Sequence, residues 1–152
     1  MQLTTSFSLL ASCGVNTKDW PRIEFEFEPH DLVSLTVCFK RKPNRYADYL
    51  EDTIVFNDEK SIGGVMELIS GIPYKKEVVD DIEEENYATK LVMDFDFADE
   101  SIENKSLKFY EYGISNAKVV FTNGDIHFLL ANIEGLYEEV HNEYQAMNNQ
   151  TN

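Results

Sequence analysis

Basic residues are scarce in this chain, with 13 Lys and Arg against 28 Asp and Glu in 152 residues, a formal net charge of −15. That balance argues against direct contact with nucleic acid phosphates or an anionic membrane surface, and it favours a basic protein partner or simply solubility. Cysteine is also scarce. Cys13 and Cys38 are too few for a disulfide scaffold at this length, and both sit among apolar neighbours in sequence, so two buried free thiols in a reducing, cytoplasmic setting are expected. No apolar run approaches the ~18 residues of a membrane-spanning helix. Catalytic signatures are missing too. His30, His127 and His141 have no second His or Cys at metal-ligand spacing, and there is no nucleophile elbow, phosphate-cradling glycine loop or dinucleotide fingerprint. The expectation is a non-enzymatic protein without cofactor or metal.

What is present is a hydrophobic fraction of 43%, with ten Phe and eight Tyr. A chain of this size buries roughly 70% of the surface its unfolded form exposes. One globular domain over residues 1–147 with a disordered tail at 148–152 is the simplest organisation. Leu10-Ala11-Ser12-Cys13 has the small-residue shape of a lipoprotein cleavage site. Only twelve residues precede Cys13, however, and none of them is basic, so a strand over Leu3–Ser12 ending at Gly14 is the better reading.

Periodicity supplies most of the elements. Ile23, Phe25 and Phe27 alternate with glutamates, and Leu35, Val37 and Phe39 alternate with Thr36, Cys38 and Lys40; the short gap predicts a hairpin with the glutamates facing Thr36, Lys40 and Lys42. A helical turn at Tyr46–Glu51 and a short strand at Thr53–Phe56 follow. Asn57 or Asp58 caps a helix through Ser61, Val65, Leu68 and Ile69, which Gly71 and Pro73 end. Thr89–Phe97 reads as a strand with Leu91, Met93, Phe95 and Phe97 on one face and Asp94 and Asp96 on the other. Leu107–Tyr112 and Ala117–Thr122 are further strands, and Asn123-Gly124 predicts a type I′ hairpin into Ile126–Phe128, with His127 pointing away from the core. A competing parse starts a helix at Asp125. The last helix, capped at Asn132, carries Ile133, Leu136, Tyr137, Val140, Tyr144 and Met147 at helical spacing. The sum is an α+β fold, a mainly antiparallel sheet of about six strands with two helices packed on one face.

The negative charge is concentrated. Residues Glu77 to Glu103 hold eleven carboxylates and Lys90 alone as base, −10 in 27 residues. Asp80, Asp81, Glu83, Glu84 and Glu85 read as a solvated loop without the ligand spacing of an EF-hand. Asp94 and Asp96 lie roughly 6.6 Å apart on one strand face, spacing that two metal-binding carboxylates could use, but without neighbouring bases to hold a nucleic acid substrate. Asp99, Glu100 and Glu103 extend the array. Tyr87, Tyr110, Tyr112 and Phe95 are candidate aromatic contacts within or beside it. Ten charges match about 17 Å of duplex DNA, or about five base pairs, enough to fill one basic cleft but not to imitate a long duplex.

In overall habit — small, acidic and without catalytic residues — the chain resembles the immunity proteins of bacterial toxin systems, including contact-dependent growth inhibition. The resemblance is compositional, covers the chain as a whole and rests on no motif. It implies a cytoplasmic inhibitor that blocks the active site or substrate cleft of a nuclease-type toxin. Phage-encoded DNA-mimic inhibitors of anti-restriction or anti-CRISPR type share the same composition, and a structural or adaptor domain with a solubilising acidic surface is the third reading.

Overall fold

The computed structural model of the chain describes residues 16–44, 46–76, 89–112, 116–121, 123–129 and 131–150. The expected strand at Leu3–Ser12, Cys13, and the acidic residues Asp80, Asp81, Glu83, Glu84 and Glu85 with Tyr87 lie outside them.

Among the described residues seven strands form one antiparallel sheet: β1 (Leu32–Arg41), β2 (Leu50–Phe56), β3 (Tyr74–Lys76), β4 (Thr89–Phe97), β5 (Lys105–Tyr112), β6 (Asn116–Val120) and β7 (Ile126–Leu129), in the order β2-β1-β4-β5-β6-β7-β3. Helix α1 (Glu59–Ile69) joins β2 to β3 at opposite edges, and α2 (Ile133–Gln150) follows β7. The class is α+β. β4 lies inside the sheet, with Phe95 opposite Leu35, Met93 opposite Val37 and Leu107, and Leu91 opposite Phe39 and Phe109. Because strand side chains alternate, these residues share one face. They form a single buried cluster with Ile62, Val65 and Ile69 of α1 and Ile133, Leu136 and Val140 of α2.

Both helices start where the capping rules place them. Asp58 accepts a hydrogen bond from the Ser61 amide at 3.0 Å, and Asn132 accepts one from the Gly135 amide at 3.0 Å. The Glu111 carboxylate on β5 accepts a third, from the Ile133 amide at 3.2 Å. Each bond satisfies a first-turn amide that has no partner within its own helix. Gly71, with φ of +89°, follows the end of α1. Helix α2 runs through Gln150, so residues 148–150 are its last turn rather than part of a tail.

Four local expectations need correction. Residues 23–27 do not form a strand paired with β1, whose partners are β2 and β4. Instead this segment crosses the core side of the sheet, with Phe25 and Phe27 against Phe95 at 5.4 and 5.3 Å and Phe27 against Phe97 at 4.9 Å between ring centroids. The glutamates alternate outward, but they do not face Thr36 or Lys40. Residues 46–49 are a turn and irregular chain, not a helical turn, and the strand begins at Leu50. The β6–β7 hairpin forms, but not through a type I′ turn. The Gly124 amide bonds the Phe121 carbonyl at 2.8 Å and Gly124 alone among the loop's described residues takes positive φ, at +85°, where type I′ requires it at both central residues. Finally, His127 is buried on the same face as Leu129, packed against the rings of Tyr74 and Phe121.

Candidate functional site

The part of the acidic array that can be placed lies on β4 and in its turn to β5. Asp94 and Asp96 are exposed on the sheet face opposite the core. In the ladder Asp94 stands between Thr36 and Ser106, and Asp96 stands opposite Ser34. Short hydroxyl side chains flank both carboxylates, and among the described residues neither makes an ion pair. The turn has its own order. The Asp99 carboxylate accepts from the Ser101 amide at 3.0 Å and the Ser101 hydroxyl at 2.6 Å, and the Ile102 amide bonds the Asp99 carbonyl at 3.0 Å. The Ser101 hydrogen bonds hold the Asp99 carboxyl below its ordinary range, so it stays ionised. Asn104 accepts from the Phe97 amide at 3.3 Å, closing the turn, and the Ala98 amide bonds the Asp31 carbonyl at 2.9 Å, tying it to the start of β1.

Seven carboxylates therefore gather at this end of the sheet: Glu28, Asp31, Asp94, Asp96, Asp99, Glu100 and Glu103. The neighbouring base, Lys105, is drawn back over the rings of Phe27 and Phe97, with Nζ 5.4 and 5.7 Å from their centroids. Glu28 and Asp31, joined across the turn before β1 by the Glu28 amide donating to the Asp31 carboxylate at 2.8 Å, were not expected here; the pairing of Leu32 with Phe97 and the Ala98 amide bond bring them in.

The apolar contacts at this end differ from those expected. Tyr110 and Phe95 are buried, 3% and 2% exposed, so neither ring is available as a surface contact. Of Tyr112, the backbone alone is described. Instead Ile102 is 43% exposed within the acidic turn, and Val33 is 54% exposed beside the irregularity between Leu32 and Ser34. An apolar residue inside an otherwise polar loop was the available sequence signal for Ile102.

The same outer face carries lysines further along. Glu51, Lys40, Lys90, Tyr110 and Lys118 occupy one row across β2, β1, β4, β5 and β6, and Lys108 lies in the next row. Lys90 is 8% exposed, with Nζ 4.5 Å from the centre of the Tyr49 ring. The face is thus divided into an acidic end and a basic middle. Strand pairing between segments far apart in sequence creates this division, which no local charge count contains.

Two other features bear on chemistry. Cys38 is not in an apolar setting: it is half-buried on the outer face, its thiol donating to Glu51 at 3.3 Å and accepting from the Thr53 hydroxyl at 3.7 Å. Burial pushes the thiol up, and neighbouring Glu51 adds to this, so it is a poor nucleophile. Among the described residues no group of three or more His, Cys, Asp or Glu could hold a metal ion, and no helix is long and apolar enough to cross a membrane. Comparison of the chain with protein-family models, with curated proteins and with solved structures gave no match.

Proposed function

We propose that the protein is a non-enzymatic, stoichiometric inhibitor of the immunity-protein kind, whose acidic β4–β5 end enters the basic substrate cleft of a nuclease-type toxin. The observation that supports this most is the array of Asp94, Asp96, Asp99, Glu100 and Glu103. All five are exposed, two fixed by strand alternation and one by its turn, with the apolar Ile102 among them. Fixed charges raise the association rate and set orientation, and a small apolar contact adds residence time. Asp80, Asp81, Glu83, Glu84, Glu85 and Tyr87 enter this reading on sequence grounds, as a steering segment. Imitation of an extended duplex has less support, because Lys40, Lys90, Lys108 and Lys118 interrupt the acidic array on the same face.

The test is co-expression with the product of the adjacent gene. The reading expects copurification with a cationic protein and relief of its toxicity. It also expects both to be lost when Asp94, Asp96, Asp99, Glu100 and Glu103 are changed together to their amides. Absence of a cationic partner together with absence of rescue would overturn it.

A further inference from the structure

We propose a second interaction surface, the outer edge of β2, which takes an extended basic peptide segment as an added strand. Among the described residues β2 pairs only with β1, and it ends the sheet. An edge strand presents backbone amides and carbonyls ready for another chain. Natural edges are commonly blunted by charged side chains, above all lysine, or by proline or a bulge. Leu50–Phe56 has no lysine and no proline; its edge charges, Glu51 and Asp52, are both acidic and so repel an acidic strand but not a basic one, and its register with β1 is continuous from Leu35↔Phe56 to Arg41↔Leu50. Its apolar residues Leu50 and Val55 are 56% and 47% exposed.

A cavity of about 330 Å³ adjoins this edge, lined by Phe39, Arg41, Leu50, Glu51, Asp52, Glu134, Tyr137 and Glu138. Tyr137 of α2 stacks on Phe39 of β1 at 4.0 Å and 9° and donates its hydroxyl hydrogen bond to Asp52, giving the cavity a fixed aromatic wall. Arg41 is held by Glu134 at 3.1 Å, and Lys40 lies 3.8 Å from Glu51. Glu138 makes no ion pair among the described residues. The residual charge is negative, which selects a cationic occupant over a second copy of a chain that itself carries −15. Strand alternation supplies the geometry. A peptide paired with β2 sends every second side chain toward the face of Leu50 and Asp52, where a lysine or arginine meets Glu138 and the Tyr137 ring. The intervening side chains lie beside Thr53 and Val55.

The probe is a fluorescein-labelled ten-residue peptide alternating arginine and valine, titrated against the full chain by anisotropy. The expected result is saturable binding, weakened at least tenfold by L50K/E138K, with the variant's thermal melt confirming that it folds. A version of the peptide with alternate backbone amides N-methylated binds wild-type protein at least tenfold more weakly. This arm holds even where the double variant fails to fold. The variant carrying amides at positions 94, 96, 99, 100 and 103 retains binding, which separates this surface from the acidic β4–β5 end. Equal binding of the N-methylated peptide, or loss of binding in that five-amide variant, would reduce the effect to general attraction and overturn the proposal. So would absence of binding, or a dimer of the free protein that the peptide does not dissociate.

Discussion

His127 packs its imidazole against the rings of Tyr74 and Phe121, at 4.9 and 5.1 Å, with Nδ1 buried and without a hydrogen-bond partner among the described residues. Burial lowers its pKa below the ordinary 6.5; Asp125 opposes that shift and Lys76 reinforces it. The folded state then binds fewer protons than the unfolded state just below 6.5. Its contribution to stability is complete above that value and is lost as pH falls toward the folded-state pKa. H127F is expected to flatten the loss of thermal stability between pH 7 and 5, measured by melting across that range. Glu143 has the opposite sign. Its carboxylate is half-buried against α1, and burial, with Glu67 and Glu139 adding and Lys60 opposing, raises its pKa above 4.5. The folded state holds this proton more tightly, so its contribution is greatest below 4.5 and declines as pH rises through the folded-state value. E143Q is expected to raise the melting temperature at pH 7 and to have little effect near pH 4.

At the scale of elements, the α1 glycines show how two similar residues have different reasons. A Cβ on Gly64 would stand 2.6 Å from a Glu143 carboxylate oxygen, the mobile end of a long side chain that can swing into water. A Cβ on Gly63 would stand 3.3 Å from the Pro29 ring, which is fixed in the turn before β1. Replacing glycine by alanine inside a helix is worth about 1 kcal/mol. G64A is therefore expected to gain most of that in denaturant unfolding, while G63A gains little or loses. D58A removes the α1 cap and is expected to cost about 1 kcal/mol. These elements were also the ones open to sequence reading: the capped helices and the alternation of β4 depend on neighbours in the chain. The segment 23–27 was not. Its alternation reports which side is buried and is silent on whether the backbone pairs, so a chain laid across the core on Phe95 and Phe97 has the same pattern as a strand. Tyr110 failed for a related reason. On β5 both Phe109 and Tyr110 are buried, and alternation assigns only one face to the interior.

For the whole molecule, a charge of −15 concentrates repulsion at the acidic end while lysines occupy the middle of the same face. Self-repulsion of this kind is screened by salt. Neutralising Asp94, Asp96, Asp99, Glu100 and Glu103 is expected to raise the melting temperature of the free protein at low salt, and less so at high salt. The same substitutions are expected to weaken its partner complex. Opposite effects on stability and binding distinguish a contact surface from a solubilising one, because loss of solvation alone leaves binding unchanged. The most direct measurement of the central claim is the affinity for the copurified cationic partner at low and high salt, for wild type and for the five-amide variant. The account predicts a wild-type affinity that falls at least about tenfold across that range, and a variant that is weaker at low salt and nearly insensitive to salt. Equal affinity of the two proteins at low salt, or a wild-type affinity unchanged by salt, would contradict it.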